Sequence, residues 1–336
     1  MKAIALISGG LDSTLAAKIM KEEGLELFAL NFKTSFCLCD RKTSSGCLNH
    51  SRGAADSLGI EFNVINLSED FFMVIEKPQH GFGSNMNPCI DCRILKFRKA
   101  KEYMQETGAS FIITGEVLGQ RPMSQHRQAL NIIDRESGLE GLVLRPLSAR
   151  LLPETIPEKE GWVSRDRLLN FSGRTRKPQM ELAKSLNIKD YPCPAGGCLL
   201  TDPEFARRMK DLMQHEGLNL HNVELLKLGR HLRLSPQARL VVGRDERENN
   251  RLMNLTEEAD YLFYPDANLA GPTALGRGDF SDDLIRLSSG IVARYCDLNG
   301  KREADIIYRK IGTVPFGDSP LRVVPVEGGA IANFRV

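Results

Sequence analysis

The sequence predicts an α/β protein: a doubly wound parallel sheet followed by a smaller α+β C-terminal domain. Two observations carry that expectation. In the first half, short apolar runs that read as strands alternate with amphipathic stretches that read as helices. This βαβα order builds a parallel sheet with helices on both faces. From about Asn219 the texture changes to several strand-like runs separated by two helical patterns, a separate domain. The expected organisation is a sheet domain over residues 1–150, a Pro-interrupted helical segment over 151–218 that completes it, and an α+β domain over 219–336. A chain of 336 residues is long enough for two or three domains with their own cores.

The elements follow in order. Residues 3–7 are a short apolar strand. A glycine turn opens a helix with Leu15, Ile19 and Met20 on one face and Gly24 as its stop. Residues 25–32 are the next strand, 47–58 a helix ended by Gly59, and 60–67 a third strand. A long loop over 70–88 leads into a helix near 91–106, and strands follow at 111–114 and 142–144. The segment 151–217 is helical, with a loop at 191–197. Strands are then expected at 224–234, 239–242 and 261–264, helices at 246–258 and 282–295, and two closing strands at the end. No internal repeat interrupts the series.

Composition narrows the functional classes. The net charge is +2, so any nucleic-acid surface must be a local patch. No apolar run approaches a membrane span, and MKAIALISGG is too short and too soon interrupted for a signal peptide. The expectation is a cytoplasmic chain with no membrane partner. In a reducing compartment its 8 cysteines point away from structural disulfides, and any that cluster point to metal binding or redox chemistry.

The stretch ISGGLDST, from Ile7 to Thr14, joins the first strand to the first helix. Glycines there permit positive φ and close approach of backbone to a ligand. Successive N–H groups form an anion nest, and the helix N-terminus adds positive potential. Ser13 offers a hydroxyl, while Asp12 repels a phosphate unless Mg²⁺ lies between them. The Walker GK[ST] and the dinucleotide G-x-G-x-x-G are both absent. The alternative is an ordinary strand–helix turn with an Asp or Ser cap.

NPCIDCR places Cys89 and Cys92 at C-x₂-C spacing where a helix starts, a position that stabilises thiolates. YPCPAGGC adds Cys193 and Cys198 in a Gly/Pro loop. Three readings stay open: four thiolates around a structural zinc, three around a [4Fe–4S] cluster with one iron free for sulfide, or direct persulfide chemistry resolved by disulfide formation. Cys37, Cys39 and Cys47 read as incidental thiols near the nucleotide, with a second metal site as the alternative, and Cys296 as core. Lys227, Arg230, Arg233, Arg239, Arg244, Arg247 and Arg251, with His231 among them, form a candidate phosphate-backbone surface; the alternative is a solvated face with ordinary charge pairs.

SGGLDS resembles the signature of the PP-loop ATP pyrophosphatases, with an adenine nucleotide alpha hydrolase-like fold. That resemblance implies ATP with Mg²⁺, a pyrophosphate cradled by Ser8, Gly9, Gly10 and Ser13, Asp12 orienting Mg²⁺ or a phosphate, and Asn31 beside the adenosine. TGEVLGQRPMSQ and VLRPL resemble segments of the tRNA 4-thiouridine synthases. NPCIDCRILKFRKA is similar to the cysteine helix they share with the tRNA 2-thiouridine synthases, and AGGCLLTDPEFARR resembles a run in PP-loop tRNA thiolases. The resemblance implies an ATP-dependent tRNA sulfurtransferase that adenylates a uridine carbonyl oxygen and replaces it with sulfur, using a [4Fe–4S] cluster. Cys89, Cys92 and either Cys198 or Cys193 become cluster ligands or sulfur carriers. Gly115, Glu116, Gln120, Ser124 and Gln125 line the mouth where ATP meets the base, and Arg145 serves phosphates or RNA. The implied partners are tRNA and a sulfur donor, either sulfide or a cysteine desulfurase-type persulfide donor. The alternatives are another PP-loop ligase or amidotransferase with a structural zinc, and a non-enzymatic ATP- and RNA-binding protein. The N-terminal RNA-capture domain and rhodanese-like segment of 4-thiouridine synthases are not visible, so substrate capture is expected to differ. VVGRDERENNRLMNLTEEADYLFYPDANLAGPTAL resembles the RNA-binding module of the NFACT family, with Tyr264–Pro265 and Pro272–Thr273 near the places of that family's histidines.

Overall fold

The computed structural model describes residues 1–38, 46–188, 191, 197–312 and 318–336. They form two compact units, Met1–Thr201 and Asp202–Val336.

The first unit contains β1 (Lys2–Leu6), α1 (Leu11–Glu22), β2 (Glu26–Lys33), α2 (Gly46–Leu58), β3 (Glu61–Asn66), α3 (Asp70–Glu76), α4 (Cys89–Thr107), β4 (Phe111–Thr114), α5 (Arg127–Glu136), β5 (Val143–Leu144), α6 (Ile156–Lys159) and α7 (Lys177–Ser185). The strands are all parallel, in the order β3-β2-β1-β4-β5. Alternate side chains serve opposite layers. Ala3, Ala5 and Ile113 pack with Leu11 and Leu15 of α1, whereas Ile4, Leu30 and Ile112 pack with Ile94 and Phe97 of α4. The chain leaves β1 towards β2 on one side and β4 lies on the other. The topological switch point is therefore between β1 and β4, where parallel sheets open a crevice at the strands' C-terminal ends.

Two helices differ from expectation. The stretch read as one loop over 70–88 contains α3, which buries Phe71, Phe72 and Ile75. Helix α5 follows β4, capped by the His126 side chain accepting from the Ala129 N–H, and buries Ala129, Leu130 and Ile133. Helix α3, seven residues long, is too short for a periodic pattern to stand out, whereas α5 carries a clear apolar stripe that the sequence reading passed over.

The second unit contains α8 (Pro203–His215), α9 (Leu220–Leu226), β6 (Arg230–Ser235), β7 (Ala238–Val242), α10 (Glu246–Asn254), β8 (Tyr261–Pro265), β9 (Ala274–Gly278), α11 (Asp282–Arg294), β10 (Ala304–Lys310), β11 (Ser319–Val323) and α12 (Gly328–Ala332). Its antiparallel sheet runs β11-β10-β8-β9-β7-β6. The division falls at Thr201/Asp202 rather than at 218/219. The reason is α8, which buries Phe205, Met209 and Leu212 and whose Asp211 binds Arg233 of β6. The strand expected from residue 224 begins at Arg230, because the Asn219 side chain caps α9 by accepting from the Asn222 N–H at 2.7 Å. Strand β9 lies between the strand expected at 261–264 and the helix expected at 282–295, where no element was expected. Among the described residues no helix is long and apolar enough to cross a membrane.

Candidate functional site

The site grows from the turn after β1. The Ile7 N–H donates to Leu30 O at 2.9 Å, which carries the sheet one residue past the strand. Gly9 has φ +74°, and a Cβ on it would lie 2.8 Å from the Ser51 backbone nitrogen, so only glycine fits. The Ser13 hydroxyl accepts from the Ser8 N–H at 3.2 Å and donates to Gly10 O at 2.9 Å, which closes the turn on itself. Gly10 is the N-cap of α1 and no side chain caps the helix. Its first N–H groups are left for a ligand. Gly115, just after β4, meets the turn from the far side of the switch point. A Cβ there would fall 2.4 Å from the Asp12 carbonyl carbon and the Ser13 nitrogen. Asn31 lines the cavity, and its amide is used inside the fold: it donates to Ile7 O at 2.7 Å and to Ser51 Oγ at 3.0 Å.

The turn opens into a cavity of about 480 Å³ bordered by Ser8, Gly10, Asp12, Ser13, Glu116 and Gln120. Asp12 Oδ2 accepts from Gln120 Nε2 at 3.0 Å. Asp12 Oδ1 is buried and has no hydrogen-bond partner. Burial pushes this carboxyl up from its ordinary value, opposed by the Gln120 hydrogen bond and by the nearby Arg176 and Arg121. An unpartnered carboxylate oxygen beside open helix N–H groups suits a Mg²⁺-bound phosphate chain.

Glu116 and Arg145 are only 2% and 5% exposed, and they hold each other. Arg145 Nε donates to Glu116 Oε2 at 3.0 Å, and its two terminal nitrogens grip Asp134 at 2.8 and 2.7 Å. Arg145 is therefore committed to the interior and does not face phosphates or RNA, as the sequence suggested. Ser124 and Gln125 are also buried; Gln125 accepts from the Arg121 N–H at 3.1 Å and lines the cavity as expected, whereas Ser124 does not border it. What the sequence reading missed is the ring of cations. Arg93, Lys96, Arg121, Arg174 and Arg176 all border the cavity. The first three lie inside motifs already singled out, whereas the last two lie in SGRTR, which carries no signature.

Cys89 is the first residue of α4, and Cys92 lies one turn on. Residues 197–201 are clipped alongside from two directions. Leu199 N–H donates to Phe36 O at 2.8 Å and Leu38 N–H to Gly197 O at 3.2 Å, while Met86 N–H donates to Leu200 O at 3.1 Å. Burial pushes the Cys198 thiol up to about 12, and Cys92 and Cys89 add to that shift, so the three sulfurs share one neighbourhood. Burial also raises the Cys89 thiol, followed by Cys92, against Arg93, Arg121 and Lys96. The thiolate stabilisation expected at this helix start is thus outweighed by desolvation. The clip also makes Cys37 the antiparallel bridge partner of Cys198, which brings it beside this group. Cys193 and Cys39 lie outside the described residues. The thiols are the right donors for zinc or an iron–sulfur cluster. Among the described residues, however, no group of three or more His, Cys, Asp or Glu side chains is arranged to hold a metal ion. Cys296 follows α11 and packs against the second unit's core, its thiol raised to about 11 by burial.

The basic series of the second unit is largely consumed within it. Lys227 pairs with Glu224, and Arg230 donates to Gly243 O at 3.1 Å and lies over the Tyr295 ring. Arg233 binds Asp211 and Glu216 at 2.6 and 2.7 Å, and Arg239, fully buried, binds Glu216 at 2.8 Å. His231 is buried, and desolvation first, then Arg239 and Arg208, hold it neutral. The strand face proposed for phosphates is thus a buried ion network. Of the remaining cations, Arg247 and Arg251 lie one turn apart on α10, whereas Arg244 precedes the helix's Asp245 cap and donates to Gly229 O at 2.7 Å.

Residues 1–150 match the family described as thiamine biosynthesis protein (ThiI), and residues 229–330 match the NFACT protein RNA binding domain. The chain resembles the PP-loop tRNA thiouridine synthases. The tRNA-specific 2-thiouridylase MnmA of Sulfurimonas denitrificans is 36% identical over 121 residues, 35% of this chain and 35% of its own. That of Proteus mirabilis is 31% identical over 145 residues, 40% of this chain and 38% of its own. The chain thus spans well under half the length of these curated relatives. The solved U34-tRNA thiolase NcsA from Methanococcus maripaludis with its [4Fe–4S] cluster aligns over 67% of this chain and 70% of its own, at 15% identity and a TM-score of 0.34. The segment between the two matched regions, which carries SGRTR and Cys198, is covered by neither.

Proposed function

We propose that this chain is an ATP-dependent tRNA sulfurtransferase. The observation that carries the reading is a single cavity with two chemically distinct ends. One end has the uncapped helix start and the unpartnered oxygen of Asp12; the other is lined by Arg93 and Lys96, which act on Cys89, and Lys96 also on Cys198. Arg121 stands between them, close enough to both Asp12 and Cys89 to act on each. ATP bound at the turn adenylates a uridine carbonyl oxygen and releases pyrophosphate. A carbonyl oxygen cannot leave as oxide, but it leaves as part of AMP. Sulfur delivered from the thiol end then takes its place, and holding both reactants in one cavity supplies much of the acceleration.

Asp12, Ser8, Gly9, Gly10 and Ser13 hold Mg²⁺ and the phosphates in this reading, with Gly115, Glu116 and Gln120 shaping the wall. Cys89, Cys92 and Cys198, or Cys193 in its place, would hold a [4Fe–4S] cluster, which when bound would offer an iron site to sulfide. The second unit holds the RNA backbone through Arg247 and Arg251 of α10, with Arg244 just before the helix, a reading supported by the match to an RNA-binding domain over residues 229–330.

The test is anaerobic incubation of the reconstituted protein with ATP, a sulfide source and tRNA, followed by nucleoside mass spectrometry. We expect AMP and pyrophosphate to form only with tRNA, together with a thiolated uridine. AMP formation on a small-molecule acceptor with no tRNA dependence would replace the reading with a PP-loop ligase, and no ATP turnover with any acceptor would leave a binding protein.

A further inference from the structure

The cations around the cavity sort into two sets. Arg93 and Lys96 belong to the thiol side: both act on Cys89, Lys96 also acts on Cys198, and Arg93 approaches Glu116 at 3.6 Å. Arg174 and Arg176 belong to the opposite side, on a loop that the fold holds unusually firmly. Phe171 N–H donates to Leu147 O at 2.7 Å, and Gly173 N–H donates to Leu118 O at 2.8 Å. Ser148 Oγ donates to Phe171 O at 2.6 Å while accepting from the Leu118 N–H at 3.0 Å, so one hydroxyl ties the loop to the segment after β4. Leu118 and Ser172 form a parallel bridge, two residues from Gln120, whose amide holds Asp12. Arg176 is then the N-cap of α7, which packs on α1. The loop therefore delivers its two arginines to the cavity: both line it, and Arg176 lies close enough to Asp12 to act on its carboxyl. Arg174 is exposed and Arg176 half-buried, and neither has a carboxylate within ion-pairing distance among the described residues. Arg145, by contrast, spends its guanidinium wholly on protein carboxylates.

We propose that Arg174 and Arg176 form the clamp for the leaving pyrophosphate, closing the side of the phosphate site that the glycine turn leaves open. This rests on the reading of the cavity as an ATP site. The acceptor oxygen attacks the α-phosphorus, and the bond from that phosphorus to the bridging oxygen breaks. The electron pair then stays on pyrophosphate, where the new negative charge is met by planar guanidinium forks. The glycine turn provides backbone N–H groups but no cation of its own, and Asp12 adds negative charge. A pair of unpaired arginines on the facing loop, with bound Mg²⁺, balances a charge that would otherwise be held by dipoles alone.

The clamp is tested by titration calorimetry of the full chain with magnesium pyrophosphate, magnesium ATP and AMP, in the wild type and in Arg174→Ala, Arg176→Ala and Arg176→Lys. Each alanine variant is expected to weaken pyrophosphate and ATP by about tenfold or more, the loss of a charge-assisted contact, with AMP affinity unchanged. Arg176→Lys is expected to recover part of the loss and to guard against misfolding as the cause. An equal loss of AMP affinity would move the arginines to the adenylate and overturn the clamp. Unchanged pyrophosphate binding with weakened tRNA binding would overturn it in favour of RNA. A wild type that binds neither ATP nor pyrophosphate would remove the ATP reading and the clamp together. Absent thiolation with pyrophosphate binding intact, and lost in the variants, would uphold the clamp while removing the sulfur chemistry.

Discussion

Gly115 shows how much a single hydrogen in place of a side chain decides. Its missing Cβ is where the end of β4 touches the first turn of α1, and the atoms it would meet at 2.4 Å are backbone, not a side chain that swings away. Gly115→Ala must displace the helix start that is meant to receive phosphates. We expect ATP binding to be lost and stability to fall by about 1–3 kcal/mol, the usual range for overpacking, read by calorimetry and denaturant unfolding. Gly53→Ala is the matched control: it lies in α2 with nothing within 4 Å, and there the methyl group adds helix propensity. An alanine at Gly115 that binds ATP normally would show that the helix start is not the phosphate site. The same scale sets how much of the site was legible. Asp12, the two glycines before it and Cys89 with Cys92 are contiguous words in the sequence, so motif chemistry found them. Cys37 and Arg174 reach the site only through backbone bridges to Cys198 and to Leu118, pairings that leave no local trace.

At the scale of elements, the parallel sheet was readable because its strands are buried runs that alternate with helices of clear period. The boundary between the units was not, and the reason is electrostatic. Segment 203–216 looks like a continuation of the helices before it, yet its acids belong to strands that come later. Asp211 and Glu216 close on Arg233, and Glu216 also on Arg239. A sequence shows the charges but not which partners they find, so the same arginines read as a free basic surface. Glu216→Ala tests this account. It leaves the fully buried Arg239 without its carboxylate, and removing one member of a buried pair costs about 3 kcal/mol. The second unit's unfolding midpoint should fall accordingly, while ATP binding by the first unit is retained. Loss of ATP binding with no change in the unfolding of the second unit would place α8 with the first unit after all.

At the scale of the whole molecule, 45 basic against 43 acidic residues leave no strong field to draw in a polyanion from a distance. Most of the basic series in the second unit is neutralised within the fold, so in the proposed reading RNA is retained by a few local contacts, and these are countable. Each phosphate contact contributes about 0.9 to the slope of log affinity against log salt on duplex, and about 0.7 on single strands. Arg244, just before α10, has Glu248 at 3.6 Å and Arg251 on the helix has Glu224 at 3.7 Å, which compete with phosphate, whereas Arg247 is exposed and has no such carboxylate among the described residues. Arg247→Gln should therefore flatten the tRNA salt slope by nearly one contact, and Arg244→Gln and Arg251→Gln by less. Fluorescence anisotropy with labelled tRNA across a salt series measures this directly. A slope that none of the three substitutions changes would exclude the α10 face from RNA binding, and the contacts would then have to come from the exposed cations of the first unit.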